Sequence, residues 1–202
     1  MKIMGRRERK KLQSRQTILA AAVKQFTAQG VRETSIADIM NAADLGIGTF
    51  YNYFESKDAV LMCLLEGLVA ELRTAVDELL QANRPASEVL ESAVIKTGRL
   101  LMDNRFVLPL FLSAAGEAAR PAGKRDKEAP APAFKSIFQE IICKGQVNGE
   151  FRQDIPSEVV TEMFHSIFQA AAFSRLEISF MENVQLKVRL ILSGLTAHNK
   201  AE

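Results

Sequence analysis

Hydrophobic residues recur at helical spacing along almost the whole chain, and no run of alternating β-branched residues is convincing as a strand. The first apolar face, which begins at Leu12 and continues to Phe26, predicts a helix from Arg9 to Gln29 with Gly30 as its C-terminal stop. We therefore predict an all-α protein. Beyond the segment discussed next, helices are predicted from Ser56 to Asn83 and at 87–103, 106–119, 132–148, 156–176 and 181–198.

A short helix with clear cap signals is predicted between Ser35 and Ala43. Ser35 suits the N-cap position, and Asp38 can return the hydrogen bond as a shortened capping-box partner. Asp44 follows, and Asp tolerates the left-handed backbone of a tight turn, although less readily than Gly. Another short helix is predicted over 47–54. The segment 35–54 is therefore predicted to be a helix–turn–helix.

Basic residues are concentrated at the start of the chain, although the net charge of the whole is only +2. Residues 1–15 contain seven of the 26 basic groups and one acid, which gives +6, whereas the remaining 19 basic and 23 acidic residues give −4. Such a basic end on a mildly acidic body indicates contact with a local polyanion; the alternative is a solubilising tail. The seven residues are Lys2, Arg6, Arg7, Arg9, Lys10, Lys11 and Arg15.

The composition excludes several classes of protein. The longest uncharged apolar run, Phe106–Gly116, is too short to cross a bilayer, and the N-terminus has no apolar stretch that would make it a secretory signal. Cys63 and Cys143 form neither a disulfide framework nor a metal site. We expect a protein of the reducing cytoplasm, with no metal and no cofactor.

The second helix of the predicted motif has an apolar side and a polar side. Phe50 and Phe54 are four residues apart and can anchor it, which leaves Thr49, Tyr51, Asn52 and Tyr53 wholly or partly outside the core. In a helix–turn–helix the first helix crosses the DNA backbone and the second enters the major groove.

The residues of this segment resemble the N-terminal domain of the TetR family of bacterial transcriptional regulators. The resemblance extends over about Lys10 to Leu65 and depends on Ser35-x-x-Asp-Ile39 and on Gly48-Thr-Phe-Tyr-Asn-Tyr-Phe-x-Ser-Lys57. The chain departs from the family pattern at Asp44, usually Gly, at Gly46, usually a Ser-like cap, and at Ile47, usually polar. Because Gly is a poorer cap than Ser, we expect a slightly less rigid turn.

The resemblance implies that Thr49, Tyr51 and Tyr53 touch DNA and that Lys57 meets a phosphate. The alternative is that the tyrosines are ordinary rim aromatics and Lys57 a solvated lysine. Only Asn52 offers a bidentate contact to adenine, while Ile47 and the Thr49 methyl can meet thymine methyls. We therefore expect modest base discrimination. The complete predicted DNA-binding set is Arg6, Arg7, Lys10, Lys11, Ser35, Ile47, Gly48, Thr49, Tyr51, Asn52, Tyr53 and Lys57.

For the rest of the chain, the resemblance implies middle helices around a ligand cavity and a homodimer formed by the last two helices. A cavity rich in Phe would suit a small hydrophobic or aromatic effector. The predicted pocket residues are Arg99, Met102, Phe106, Phe111, Phe134, Phe138, Phe164, His165 and Phe168. For His165 the sequence favours a packed or rim histidine over a ligand contact. The predicted dimer residues are Val160, Ile167, Ala171, Val188, Ile191 and Leu195.

The resemblance thus implies two domains, a DNA-binding domain over 1–55 and a ligand-binding and dimerisation domain over 56–202. It also implies a repressor that binds double-stranded DNA at a palindromic operator, in the bacterial cytoplasm and at the nucleoid. The effector is expected to release the repressor from this operator. Three alternatives stay open. A ligand-independent or architectural DNA-binding protein is one, and redox sensing through a cysteine is another. An enzyme is disfavoured, because the sequence has two histidines and no phosphate loop, dinucleotide fingerprint or Gly-x-Ser-x-Gly motif.

Overall fold

The computed structural model describes residues 5–109 and 131–196, and their regular structure is helical, as predicted. Within these residues, Arg105–Val107 forms a 3-10 turn, and β-type pairing is limited to one isolated antiparallel bridge between Phe151 and Thr196. No helix of this part is long and apolar enough to span a membrane. The helices are α1 Arg6–Glu33, α2 Ile36–Ala42, α3 Ile47–Phe50, α4 Lys57–Gln81, α5 Ala86–Asp103, α6 Ala131–Val147, α7 Ser157–Ala172 and α8 Phe180–Leu195.

The chain divides into two compact units. The N-terminal unit comprises the chain as far as Gly67 together with Asn104–Phe106, and the C-terminal unit comprises Leu68–Asp103 and the chain from Val107 onward. The change between units along α4 thus falls at Gly67, inside a helix, whereas the predicted domain boundary lies between residues 55 and 56. That functional boundary stays a prediction.

The first helix contains a break at the predicted stop. Gly30 has a φ of 85°, so α1 consists of two helical segments that meet at this glycine. A left-handed backbone of this kind favours Gly because a Cβ would be strained there. The Thr34 hydroxyl donates to the Gly30 carbonyl at 2.7 Å and fixes the end of the second segment.

Three predicted helices are shorter in the structure. The helix predicted over 47–54 ends at Phe50, and the next residues form turns in which the Asn52 amide donates to the Thr49 carbonyl. The helix predicted to reach 176 ends at Ala172, and the Ser174 side chain then accepts from the backbone amide of Leu176. The helix predicted to reach 198 ends at Leu195, because Thr196 is extended and pairs with Phe151.

In the C-terminal unit, α6 packs on α5 and α7, and α8 packs on α5 and α7. Phe134, Phe138, Phe164 and Phe168 are buried in this unit. Helix α6 approaches the turn that follows it very closely: an added Cβ on Gly145 would lie 2.3 Å from the Phe151 ring. Glycine at position 145 is therefore required for this packing.

Candidate nucleic-acid interface

The start of the helix–turn–helix is held by a reciprocal capping box, as predicted. The Asp38 amide donates to the Ser35 hydroxyl oxygen at 3.1 Å, and the Ser35 amide donates to the Asp38 carboxylate at 2.8 Å. The Ser35 hydroxyl also donates to this carboxylate, at 2.7 Å. These bonds favour the charged form, so the Ser35 side chain and then its amide lower the pKa of Asp38.

The turn between α2 and α3 follows from its sequence. Asp44 has a φ of 54°, the left-handed conformation expected of it, and the Leu45 amide donates to the Met40 carbonyl at 3.1 Å. Gly46 is the N-cap of α3 and has no side chain that could accept a cap hydrogen bond. The Thr49 amide donates instead to the Gly46 carbonyl at 2.8 Å, so the backbone alone closes the first turn of α3.

The recognition segment, which we define as Ile47–Phe54, has one buried and one exposed side. Phe50 and Phe54 are buried, with ring centroids 5.9 Å apart, which confirms them as anchors. Ile47 is 51% exposed and Tyr51 62% exposed. Gly48 and Asn52 are also exposed, whereas Thr49 and Tyr53 are half-buried. Exposure makes these groups available to a ligand; their contact with DNA stays a prediction.

The basic residues of the N-terminus are presented on a helix. Arg6, Arg7, Lys10 and Lys11 are all exposed in the first turns of α1, while Lys2 lies outside the described residues. The exposed arm and the exposed side of the recognition segment belong to the same compact unit.

Two basic side chains of this unit have intramolecular partners that the sequence did not reveal. The Lys57 ammonium donates to the backbone carbonyls of Thr34, at 2.6 Å, and Arg32, at 3.1 Å. The Arg15 guanidinium lies 5.2 Å from the centroid of the Phe54 ring and donates to the Cys63 sulfur at 2.8 Å. Arg15 is 48 residues from Cys63 in the sequence, so the surroundings of the cysteine in the sequence do not indicate this contact.

In the C-terminal unit, four of the predicted pocket residues are buried phenylalanines. Phe134, Phe138, Phe164 and Phe168 are buried, and the rings of Phe138 and Phe168 stack at a centroid distance of 6.4 Å. Gly98 allows Met181 to approach, since an added Cβ would lie 3.0 Å from its sulfur.

Five other residues are predicted to line the pocket. Arg99 is exposed and Met102 is half-buried. Phe106 packs against Phe26 in the N-terminal unit, with 5.5 Å between centroids. Phe111 lies outside the described residues. His165 is half-buried, and its pKa is lowered by burial and then by the positive charge of Lys135.

A groove of about 500 Å³ lies where α4 ends and α5 begins, beside the end of α6. None of the predicted pocket residues lines it, and no sequence motif indicates it. Its lining residues are Leu80, Asn83, Arg84, Pro85, Ala86, Ile141, Lys144, Asn148 and Glu150.

Most of the side chains predicted for the dimer interface are buried within the single chain. Five of them, Val160, Ile167, Ala171, Val188 and Leu195, are buried in the C-terminal unit, and Ile191 is half-buried. A partner helix cannot reach buried side chains without opening the core, and periodicity alone does not separate an inner from an outer apolar face. The same two helices expose a different set, which we call the outer stripe: Val159, Met163, Leu186 and Leu190.

Comparison with known proteins places this arrangement in context. Residues 18–62 match the family described as bacterial regulatory proteins, tetR family. The HTH-type transcriptional regulator YvdT of Bacillus subtilis is 26% identical over 85% of this chain and 86% of its own length. The HTH-type transcriptional repressor DhaR of a Mycobacterium species is 26% identical over 78% of this chain and 79% of its own length.

A solved structure extends the similarity to the whole fold. The TetR-family transcriptional repressor FadR of Thermus thermophilus, determined in complex with lauroyl-CoA, superposes with a TM-score of 0.64 and 27% identity. The match covers 93% of this chain and 98% of FadR, so the C-terminal unit is similar as well as the helix–turn–helix.

Proposed function

Because the chain belongs to the TetR family of bacterial transcriptional regulators, we propose that it is a homodimeric repressor that binds a palindromic operator. A hydrophobic small molecule releases the repressor from this operator. Relatives named as repressors support the direction of regulation. We propose that it acts in the cytoplasm, at the nucleoid. Its relatives are regulators, which is consistent with a non-enzymatic protein.

The observation that carries the DNA-binding proposal is the two-sided recognition segment. Phe50 and Phe54 hold it in the core while Ile47 and Tyr51 are left more than half exposed. Large apolar and aromatic side chains that are exposed on a short element anchored in the core are available to a binding partner. The exposed basic arm of the same unit supplies the charge that a phosphate backbone requires.

We assign the contacts to two classes. Arg6, Arg7, Lys10 and Lys11 neutralise phosphates, and the hydroxyls of Thr49, Tyr51 and Tyr53 donate to phosphate oxygens. The Ser35 hydroxyl donates to the Asp38 carboxylate, so Ser35 contributes as the cap of α2. Ile47 and Asn52 face base edges, with Gly48 allowing close approach. Because the segment contains one amide and no Arg, Lys or Gln, phosphate contacts and DNA shape carry most of the affinity.

We place the dimer on the outer stripe of α7 and α8. The four exposed apolar side chains of the stripe, Leu190 with 74% of its surface exposed among them, are the kind of surface that an interface covers. A two-fold dimer through this surface would present two recognition segments to two half-sites. Substituting Leu190 by Glu should give monomers in size-exclusion chromatography with light scattering. Val147 is also exposed but lies on α6, so Val147→Glu should stay dimeric.

For the effector, we propose a molecule with a long apolar part. The similarity to a FadR solved with lauroyl-CoA supports this class. The effector must bind more tightly to a conformation that misfits the operator, since a ligand with equal affinity for both states shifts nothing. Lauroyl-CoA is the first probe: it should raise the Tm of the protein and release it from DNA.

One observation favours ligand-independent regulation as the second candidate. Four of the phenylalanines predicted to line a cavity, Phe134, Phe138, Phe164 and Phe168, are buried in the C-terminal unit, and Phe138 stacks on Phe168. A panel of acyl-CoA esters, free fatty acids and aromatic compounds that neither shifts the Tm nor releases DNA would favour this alternative.

The proposal is tested by selection of bound DNA. Purified protein is incubated with random and genomic fragments, including those flanking its own coding region, and the enriched site is footprinted. We expect an inverted repeat with half-sites about one helical turn apart, or a multiple of this. Replacement of Arg6, Arg7, Lys10 and Lys11 by Gln should weaken binding and flatten its salt dependence. Failure to enrich any sequence would refute the operator proposal.

A further inference from the structure

We propose that the groove at the end of α4 binds a small organic acid, that is, a carboxylate on a compact apolar body. This groove, which we call the α4–α6 groove, is lined by Leu80, by the turn 83–86 and by residues between 141 and 150. It lies within the C-terminal unit, and none of the phenylalanines predicted for the effector pocket lines it. The inference goes beyond the proposed function, because it requires neither an operator nor the effector.

The α4–α6 groove has the volume and the floor of a small-molecule site. Its volume of about 500 Å³ lies in the range of roughly 300–1,000 Å³ that is usual for ligand clefts. Ile141 and Ala86 are buried and form the floor, and the half-buried Leu80 and the exposed Pro85 also line the groove. These four apolar side chains favour a ligand with an apolar body, because covering them removes apolar surface from water.

The walls of the groove are fixed by hydrogen bonds within the chain. Asn83 has a left-handed backbone with a φ of 52°, and the Arg84 amide donates to the Leu79 carbonyl at 3.1 Å, which ends α4 in a defined turn. The Glu150 carboxylate accepts from the Ala86 amide at 2.6 Å and so joins the turn after α6 to the start of α5. The groove is therefore formed before a ligand binds, which lowers the entropic cost of binding.

The charged side chains around the groove favour an anion. Arg84 and Lys144 are positive and Glu150 is negative, so the lining has a net charge of +1. The Glu150 carboxylate is already engaged by the Ala86 amide. Lys144, by contrast, is exposed and takes part in none of the ion pairs found in the described part of the chain. Its ammonium is available to a carboxylate, with which it would form a charge-assisted hydrogen bond.

Arg84 is oriented by an acid that lies outside the lining of the groove. Its Nε donates to both carboxylate oxygens of Glu88 at 3.0 Å, and its Nη2 donates to one of them at 2.5 Å. These bonds hold the guanidinium in place but leave the donors on Nη1 unused by Glu88. A guanidinium also matches the planar geometry of a carboxylate. The groove thus combines two cationic donors with an apolar floor, which suits an organic acid better than an inorganic anion.

Binding is tested by NMR with naphthoate and its neutral amide, naphthamide, on the isotope-labelled full chain at low ionic strength. We expect naphthoate to shift the backbone amide resonances of 83–88 and 144–150, with a Kd on the order of 1 mM or tighter. Naphthamide has the same body without the charge, so it should bind at least about threefold more weakly, the effect of one nearby charge in a medium close to water. Inorganic phosphate has no apolar body and should also bind more weakly than naphthoate.

The position of the shifts and the order of the three affinities decide the result. The absence of these shifts at about ten times the expected Kd would overturn the proposal. Naphthoate shifts confined to α7 and to α6 before residue 139 would overturn it as well, because they would place the ligand among the buried phenylalanines. Equal binding of naphthamide would exclude a role for the charges, and equal binding of phosphate would exclude a role for the apolar floor.

Two charge variants should move the affinity in opposite directions. Lys144→Gln removes a cation and should weaken naphthoate binding about threefold. Glu150→Gln keeps an oxygen for the Ala86 amide but removes a negative charge, so it should strengthen binding by about the same factor. Arg189→Gln is the matched control and should bind as wild type does, because Arg189 is an exposed cation on α8 outside the groove. Wild-type affinity in Lys144→Gln, or weaker binding in a folded Glu150→Gln, would overturn the proposal.

Glu88→Gln decides the question if the bond between Glu150 and Ala86 is essential for folding. This variant removes the acid that competes for Arg84, and Glu88 itself does not line the groove. It should therefore strengthen naphthoate binding, again by about threefold, an effect that unfolding cannot produce. An unchanged or weaker affinity would overturn the assignment of Arg84 to the site. If wild type selects no DNA but naphthoate shifts these amides, the proposed function fails and the inference about the groove holds.

Discussion

Replacing single glycines by alanine should separate close packing from helix propensity in this fold, and Gly145 is the critical position. An added Cβ would lie 2.3 and 2.5 Å from two ring carbons of Phe151 and 2.9 Å from the Cβ of Ala86. The closest of these distances is more than 1 Å below the roughly 3.5 Å at which two carbon atoms attract each other best. Both neighbouring side chains are buried.

Little in the surroundings allows the ring to move away. The amides of Glu150 and Phe151 both donate to the Gly145 carbonyl, at 2.9 and 3.0 Å. The Glu150 carboxylate also accepts from the Ala86 amide at 2.6 Å, which fixes the other neighbour. Overpacking of this kind costs about 1–3 kcal/mol or more, while the better helix propensity of Ala returns up to about 1 kcal/mol.

We therefore expect Gly145→Ala to lower the free energy of unfolding by about 2 kcal/mol, or the Tm by about 4–8 °C. Gly67→Ala is the matched control: Gly67 is exposed on α4 with no atom within 4 Å of an added Cβ, so it should be neutral or more stable by up to about 1 kcal/mol. Gly98→Ala should lie between them, because its nearest neighbour is the flexible end of Met181.

The assay is urea unfolding followed by circular dichroism at one protein concentration, with thermal melts in parallel. Phe151→Leu provides the second arm, since Gly145→Ala should cost less in that background than in wild type. If Gly145→Ala is as stable as Gly67→Ala, or if the two effects at 145 and 151 are additive, the steric reasoning is refuted.

Three other predictions concern the caps, the histidine and base recognition. Ser35→Ala should destabilise the protein by about 1 kcal/mol in urea unfolding and raise the pKa of Asp38 in an NMR titration; an unmoved pKa would contradict the capping box. Because the pKa of His165 is lowered in the folded state, the unfolded chain binds more protons than the folded chain as the pH falls toward the ordinary histidine pKa of about 6.5, so stability should decrease as the pH falls. His165→Gln should lessen that fall in stability. An equally steep decline in this variant would show that His165 is not its cause. Ile47→Ala should change the ranking of operator variants in competition binding, and an unchanged ranking would show that Ile47 reads no base.

Features that depend on neighbouring residues were predictable from the sequence. The Ser35 cap, the left-handed Asp44 and the paired anchors Phe50 and Phe54 all follow from side chains within four residues of one another. Gly30 was placed correctly as an interruption of α1, although the chain resumes a helix beyond it. Local steric and hydrogen-bonding preferences decide each of these.

Features that depend on distant residues were not predictable. Lys57 reaches a carbonyl 23 residues away and Arg15 a sulfur 48 residues away, and nothing in their own sequence surroundings indicates those partners. Val160 and Val159 are adjacent on α7, yet one is buried and the other exposed. A broad apolar stripe does not reveal which of its sides meets the core and which remains for a partner.

The bridge between Phe151 and Thr196 affects how the chain can fold during synthesis. The Arg152 amide donates to the Leu195 carbonyl at 3.0 Å, so the turn after α6 obtains these backbone partners from the end of α8. A ribosome releases the turn well before residues 195 and 196. Until they emerge, the Arg152 amide must bond to water. Completion of this corner must therefore wait until α8 has been synthesised, and a stall within α8 would leave it unfinished and open to chaperones or proteases.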